Sequence, residues 1–359
     1  MRLEEFDYEL PPELIAQEPI EPRDASRLLV LDRGTGELGH HRFRELPRFL
    51  RAGDVLVFND TRVIPGRLRL RRLDTGGRAE ILLLRPLGDE AEGRQVWEVL
   101  GRPARRLRPG THLVCEGGSS AERGSPGAGG CQVVVTAAGE EGVRQVELRW
   151  DAGVPLGAVL EQVGEVPLPP YIHRPLADRE RYQTVYARQP GSAAAPTAGL
   201  HFTPRLLGEL QRTGVETCYL TLHVGLGTFR PLRTETVEDA SLHAEYYRVE
   251  GQAAERINAA RRRGGRVVAV GTTVVRTLET VAGPGGEVRP GEGWTDLFIY
   301  PGYRFRVVDA LVTNFHLPRS SLLVLVCALA GRERVLAAYR EAVRERYRFY
   351  SFGDAMLIL

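Results

Sequence analysis

The sequence predicts an α/β protein: a mixed-sheet main domain of non-Rossmann type, interrupted once by a small inserted all-β barrel. Three observations predict it. The 359 residues exceed one average domain. Between Val63 and Trp150, short apolar runs follow one another with no helical period, and outside that stretch strand-like and helix-like patterns alternate. The expected division is residues 1–62 plus 151–359 as the main domain and residues 63–150 as the insert.

The insert's runs are Arg67 to Leu70, Ala79 to Leu84, Val96 to Leu100, Thr111 to Cys115, Cys131 to Thr136 and Val143 to Trp150, each separated by glycine, proline or charged turns. Strands without helices to cover them remove their edges by closing on themselves, which is the argument for a barrel. Gly117 to Gly130 is rich in glycine and serine and reads as a surface loop.

Beyond Trp150 the pattern predicts helices over Leu156–Val163 and Pro204–Arg212, the second with Thr203 as N-cap, proline at its first position and Gly214 past its end. A strand over Val215–Val224 follows. Next come a helix over Gln252–Arg262, a strand over Arg266–Val270 and a helix over Val274–Thr280. Strands over Leu297–Tyr300 and Val307–Val312 lead to helices over Ser321–Ala330 and Glu333–Arg346. The longest apolar run, Leu322 to Ala330, is far short of the ~20 residues that span a bilayer, so it reads as a buried helix.

Composition narrows the function classes. Hydrophobic residues at 43% and charged residues at 26% are those of a folded globular protein. Forty-eight basic against 46 acidic residues leave +2, so any polyanion must meet a local patch. All the basic residues are arginine, which lowers the information in any one arginine cluster. Cys115, Cys131, Cys218 and Cys327 fit neither paired metal-ligand spacing nor a disulfide framework, and the N-terminus carries no secretory pattern. A cytoplasmic protein without a resident metal is the expectation.

Polar and glycine residues collect where strands end, the usual place for ligands in open α/β sheets. Asn59-Asp60-Thr61-Arg62 follows the apolar run Asp54 to Phe58; a turn explains it as well as ligand contact does. Thr197 and His201 lie in the segment leading into the capped helix, whose N-terminus favours negative charge. His223-Val224-Gly225-Leu226-Gly227-Thr228-Phe229-Arg230 ends a strong strand with glycines that allow close backbone approach. Arg230 and Pro231 rule out a dinucleotide fingerprint there. Gly271-Thr272-Thr273 is a strand, turn and helix start that presents backbone N–H groups. Asn314 and His316 leave a strand on a loop. Arg102, Arg105, Arg106 and Arg108 crowd one barrel turn, where phosphate contact and a solvated face compete as explanations.

Together with Asp7-Tyr8-Glu9-Leu10-Pro11 and Ser351-Phe352-Gly353-Asp354-Ala355-Met356, these blocks make the chain resemble the S-adenosylmethionine:tRNA ribosyltransferase-isomerase family over nearly its whole length. The Gly117 to Gly130 loop is longer than the resemblance leads one to expect. The resemblance implies transfer and isomerisation of the ribosyl part of S-adenosylmethionine onto the aminomethyl group of preQ1 in tRNA. The product is epoxyqueuosine-tRNA, and adenine and methionine are released. S-adenosylmethionine is then a co-substrate, and no metal or other cofactor is implied. The sulfonium acidifies the adjacent C5′ protons, so a neutral base must take one, and departing adenine needs a proton; histidine suits both tasks.

The expected roles follow. His223 is the base, while His316 or His201 protonates or orients adenine, with Asn314 reading an edge. Thr228, Arg230 and the Gly271 turn hold ribose hydroxyls or the methionine carboxylate, and Asp60 with Arg62 closes the site. Asn59, Thr197, Gly225, Gly227, Thr272 and Thr273 complete the substrate contacts, and the four barrel arginines meet tRNA phosphates. The three histidines are expected to face one shared hollow. A monomer acting away from membranes is expected. The competing readings are an S-adenosylmethionine-dependent RNA methyltransferase, which lacks its glycine loop here, and a noncatalytic tRNA-binding protein, which leaves the strand-end histidines without a purpose.

Overall fold

A computed structural model describes residues 1–116, 130–225, 232 and 234–359. The chain opens with β1 (Arg27–Leu31), β2 (Leu38–Arg42), β3 (Val55–Asn59) and β4 (Thr61–Val63). It continues through β5 (Arg67–Arg72), β6 (Arg78–Pro86), β7 (Arg94–Arg102), β8 (His112–Cys115), β9 (Gln132–Ala138) and β10 (Val143–Arg149) to α1 (Leu156–Val163), β11 (Gly164–Glu165) and β12 (Gln189–Ser192). Then come α2 (Pro204–Arg212), β13 (Glu216–Leu222), β14 (Glu245–Val249), α3 (Gly251–Arg262), β15 (Val267–Val270) and α4 (Thr272–Val281). The last elements are β16 (Gly291–Thr295), β17 (Ala310–Asn314), α5 (Ser321–Ala330), α6 (Arg332–Arg344) and β18 (Ala355–Ile358).

Two compact units result. One comprises Met1–Arg62, Pro169–Gln189 and Ala195–Leu359; the other comprises Val63–Leu168 and Pro190–Ala194. The first is built on a nine-stranded mixed sheet ordered β16-β14-β13-β3-β15-β17-β18-β1-β2. Its centre, β13, β3, β15 and β17, is parallel. Central parallel strands are covered on both faces, which is why β3 (VLVFN), β15 (VVAV) and β17 (ALVTN) read as unbroken apolar runs and are buried throughout. One face packs Val55, Val57, Ala269 and Leu311 against residues of α3 to α6. The other packs Leu56, Phe58, Val268 and Val312 against Phe43, Phe202, Leu206 and Leu210.

The second unit is the barrel. Six antiparallel strands run β5-β6-β7-β10-β9-β8, and β8 pairs back onto β5 through Leu70↔Cys115 and Arg72↔Leu113, so the sheet has closed on itself. Inward residues such as Leu68, Leu70, Ile81, Val99, Val133 and Val146 fill it. α1 buries Leu156, Val159, Leu160 and Val163 in the same core, so this unit runs past Trp150 to Leu168. Arg67, Arg69 and Arg71 face outward and pair with Glu80, Glu165 and Glu116.

The punctuation read from sequence is present: Thr203 Oγ1 accepts from Leu206 N at 3.1 Å, and Ser320 Oγ accepts from Leu323 N at 3.2 Å. One element differs. Leu297–Tyr300 is irregular and the strand lies earlier, at β16, because the Leu297 backbone is taken by side chains: its N–H donates to Thr295 Oγ1 and its carbonyl accepts from Arg276 Nε. The glycines of β16 hid its period. All four cysteines are free thiols. Among the described residues, no helix is long and apolar enough to cross a membrane.

Candidate active site

Because β13, β3, β15 and β17 run parallel, their C-terminal ends share one edge of the sheet. That edge carries His223, Asn59 to Arg62, the Gly271 turn and Asn314 to His316. The antiparallel β18 brings Ser351 to Asp354 to the same edge, and β1, parallel to β18, brings Ser26.

At the β3–β13 end the polar network is dense. Asn59 is fully buried and wholly engaged: Nδ2 donates to the Leu222 carbonyl at 2.9 Å and to Thr273 Oγ1 at 3.3 Å, while Oδ1 accepts from the Thr61 and Leu222 amides. It therefore stitches two strand ends to the start of α4, and its amide has no hydrogen left to offer a ligand. Asp60, also buried, accepts from Thr221 Oγ1 at 2.7 Å and from Arg188 Nε at 2.6 Å. Thr61 Oγ1 meets His223 Nδ1 at 2.8 Å. The His223 ring stacks on Tyr246 at 5.5 Å, and burial lowers its pKa to about 4, so it is an unprotonated imidazole at neutral pH. Arg62 pairs with Glu180.

Below this cluster lies a buried ion pair, Glu245 with Arg276. Arg276 also donates to the Thr295 and Leu297 carbonyls, and Glu245 Oε1 accepts from the Gly225 amide at 2.7 Å. The pair thus anchors the start of the glycine-containing segment after β13. Gly271 caps α4 at φ +96° and donates its N–H to the Val312 carbonyl; Thr272 and Thr273 follow it, buried.

The β17 end is a separate cluster. Asn314 donates Nδ2 to the Tyr350 carbonyl at 2.9 Å. His201 ends the single 3-10 turn Thr197–His201, stacks on Phe43 at 4.9 Å and bonds Ser26 Oγ through Nδ1 at 2.8 Å. Among the described residues, His201 Nε2 and Asn314 Oδ1 are buried with no hydrogen-bond partner other than the His201–Asn314 side-chain contact itself. His201 also lines a small cavity with Arg23, Arg181, Leu200, Ser351, Phe352 and Gly353. Burial, reinforced by Arg348 and Arg23 and opposed by the Asn314 amide, lowers His201 to about 3. His316 follows Thr313, whose side chain sits on the opposite sheet face from Asn314; its Nε2 bonds Thr313 Oγ1 at 2.7 Å, and burial lowers it to about 3.

The structure therefore brings His223, Asn59, Asp60, Thr273 and Gly225 into one connected network. It does not bring the three histidines together: each has its own partners, and β3 and β15 stand between His223 and Asn314, a separation of about 14 Å at ~4.8 Å per strand. Gly227, Thr228 and Arg230 lie outside the described residues, as does most of the Gly117 to Gly130 loop. Arg102, Arg105, Arg106 and Arg108 are all exposed on the barrel unit, and among the described residues none of the four is in an ion pair. No group of three or more His, Cys, Asp or Glu side chains among the described residues is placed to hold a metal ion.

With this geometry in hand, comparison with known proteins is decisive. A family model described as Queuosine biosynthesis protein matches residues 3–358. The chain belongs to the queuosine biosynthesis protein family. It is 59% identical over 360 residues to the S-adenosylmethionine:tRNA ribosyltransferase-isomerase of Moorella thermoacetica and 56% identical over 359 residues to that of Symbiobacterium thermophilum. Each comparison covers 100% of both chains. The crystal structure of S-adenosylmethionine tRNA ribosyltransferase from Thermotoga maritima is similar at 42% identity and a TM-score of 0.54, covering 99% of this chain and 100% of that one.

Within this queuosine biosynthesis protein, Thr61, Ser26, Arg276 and Tyr246 are site residues that the sequence did not mark. One signal was readable: Arg276 and Glu279 are the two charges in a helix that is otherwise apolar or small, and a charge buried on such a helix requires a partner. Thr61 and Ser26 carried no comparable mark, since their partners, 162 and 175 residues away, are set by sheet order.

Proposed function

We propose that this chain transfers and isomerises the ribosyl moiety of S-adenosylmethionine onto the aminomethyl group of preQ1-bearing tRNA, yielding epoxyqueuosine-tRNA with release of adenine and methionine. The observation that carries the reading is identity of 56% and 59%, end to end, with proteins named for that reaction. The site proposed for it is the connected network at the β3–β13 end. The reaction takes place in the cytoplasm, where its tRNA substrate resides, and one chain suffices for it.

In this reading His223 removes the C5′ proton that the sulfonium has acidified. Its imidazole is neutral at pH 7, as a base must be. For Nε2 to carry the lone pair, Nδ1–H donates to Thr61 Oγ1, whose own hydrogen goes to the Gln189 carbonyl at 3.4 Å. The amine nucleophile belongs to the RNA, so the protein needs no activated serine or cysteine.

His201 and His316 orient substrate rather than protonate adenine, because burial keeps both imidazoles uncharged. Asn314 offers Oδ1 to a donor on the heterocycle edge. The Gly271 turn with Thr272 and Thr273, together with Gly225, Gly227, Thr228 and Arg230, holds the ribose hydroxyls and the methionine carboxylate. Asn59 acts by fixing the strand ends. Thr197, Asp60 and Arg62 complete the wall, and the barrel arginines Arg102, Arg105, Arg106 and Arg108 meet tRNA phosphates.

The test is to mix the protein with S-adenosylmethionine and preQ1-bearing tRNA and to analyse the small-molecule products. Free adenine with methionine is the expected outcome. S-adenosylhomocysteine would establish a methyltransferase instead, and unchanged S-adenosylmethionine would leave a noncatalytic RNA-binding protein.

A further inference from the structure

Two thiols face each other where the barrel closes. β8 pairs with β5 on one side and with β9 on the other, and its pairing with β9 runs Leu113↔Val133 and Val114↔Gln132. The register continues one step further, because the Cys115 amide donates to the Cys131 carbonyl at 2.9 Å. Leu113 and Val133, two residues away on each strand, lie in the barrel core, so Cys115 and Cys131 share that inward face. A hydrogen-bonded antiparallel pair sets its Cα atoms about 5.5 Å apart. A disulfide spans Cα separations of roughly 4.4–6.8 Å, so the backbone can admit one where it stands.

The two side chains also meet. Cys115 and Cys131 hydrogen-bond each other, which lowers the Cys131 thiol from its ordinary value and, together with burial, raises that of Cys115. Cys131 is thus the readier of the two to lose its proton, and the thiolate is the form that reacts. Cys131 is fully enclosed while Cys115 is partly exposed, so a small oxidant reaches the pair from the Cys115 side. Cys218 and Cys327 lie in the other unit, on β13 and α5, where burial pushes their thiols up to about 11 and about 12.

We propose that Cys115 and Cys131 form an oxidation-sensitive dithiol, a modification site at which hydrogen peroxide makes a disulfide that staples β8 to β9. The Cys131 sulfur attacks one peroxide oxygen and the O–O bond breaks, leaving a sulfenic acid at Cys131 and one water. The Cys115 sulfur then attacks the sulfenic sulfur; the S–S bond forms, and the hydroxyl leaves with the Cys115 proton as a second water. Two thiols have lost two hydrogens, and peroxide has been reduced to two waters. The new bond closes residues 116–130 into a covalent loop, which removes freedom from the unfolded chain and so stabilises the barrel unit. In a reducing compartment such a bond is transient, and thiol reductants reverse it. The site is independent of the reaction proposed above.

The experiment treats folded wild type, Cys115→Ser and Cys131→Ser with hydrogen peroxide, then unfolds and alkylates each protein and maps its cysteines by mass spectrometry. Wild type should fall from four alkylatable thiols to two, with a peptide linking Cys115 to Cys131 and full recovery in dithiothreitol. Neither variant should form a disulfide. The thermal midpoint of oxidised wild type should rise by several degrees and return on reduction. Four thiols still alkylated after peroxide overturn the proposal, as does a linkage to Cys218 or Cys327, or a disulfide that persists in either variant. An oxidised wild type whose midpoint is unchanged or lower overturns the staple. Wild type alone decides most of these outcomes, so a serine variant that fails to fold does not block the test.

Discussion

Thr61 Oγ1 stands 2.8 Å from His223 Nδ1, joining the second residue past one central strand to the first residue past its neighbour. The contact orients the ring, and the Tyr246 stack limits its rotation, so the free Nε2 has a defined direction.

Thr61→Val keeps the side chain's shape and removes the hydroxyl. Its kcat for adenine release should fall about tenfold with the KM for S-adenosylmethionine unchanged, and that of His223→Ala by roughly 10²-fold or more. Because burial lowers His223 from its ordinary value to about 4, the acid limb of the wild-type kcat profile should lie near pH 4 rather than near 6.5. A His223→Ala protein turning over at the wild-type rate would remove the residue from the mechanism.

Acid should destabilise this protein through its buried histidines. His201 and His316 have folded pKa values of about 3, below the ordinary ~6.5, so the unfolded chain binds protons first as pH falls. The stability they contribute is complete above about pH 6.5 and is lost progressively toward pH 3. Thermal midpoints of wild type and His201→Gln, followed from pH 7 to pH 4, should converge as pH falls. Parallel curves would show that His201 titrates normally.

Arg276 and Glu245 are 3% and 5% exposed and form a buried ion pair. Arg276→Met should cost about 3–5 kcal/mol in urea unfolding, and the Glu245→Gln/Arg276→Met double variant should recover part of that loss. The double variant should still lower activity, because the Gly225 amide loses its carboxylate acceptor. Equal stability of the single and double variants would argue against a coupled pair.

Replacing Arg102, Arg105, Arg106 and Arg108 together by Gln should lower the slope of log Kd against log salt for tRNA by about 3, at ~0.7–0.9 per phosphate contact. Adenine release at saturating tRNA should be kept. An unchanged slope would assign RNA binding to other residues.

The Val55–Asn59 strand was legible because burial on both faces demands an unbroken apolar run, whereas the strand read at Val307–Val312 starts only at Ala310, because the Val307 and Val308 amides donate to the Glu279 carboxylate. α2 and α5 were legible because their caps are local chemistry: Thr203 and Ser320 each bond an amide three residues on. The barrel was legible because six unaccompanied strands need closure. β16 was not, since Gly291 and Gly293 carry no side chain to mark a period.

The site divides along the same line. By itself the sequence determined which residues stand at strand ends, because that is a property of each segment and its nearest neighbours. Which of those ends lie side by side was decided only by the tertiary structure: β3 sits between β13 and β15, so His223 finds Thr61 and Asn59 finds Thr273, while Asn314 is carried across the sheet to His201. Strand order is chosen by the packing of whole faces against their helices, a sum over distant residues that no local pattern encodes. The histidines could be nominated one by one from their segments, and only the assembled sheet separated the one beside Tyr246 from the two near the β17 end.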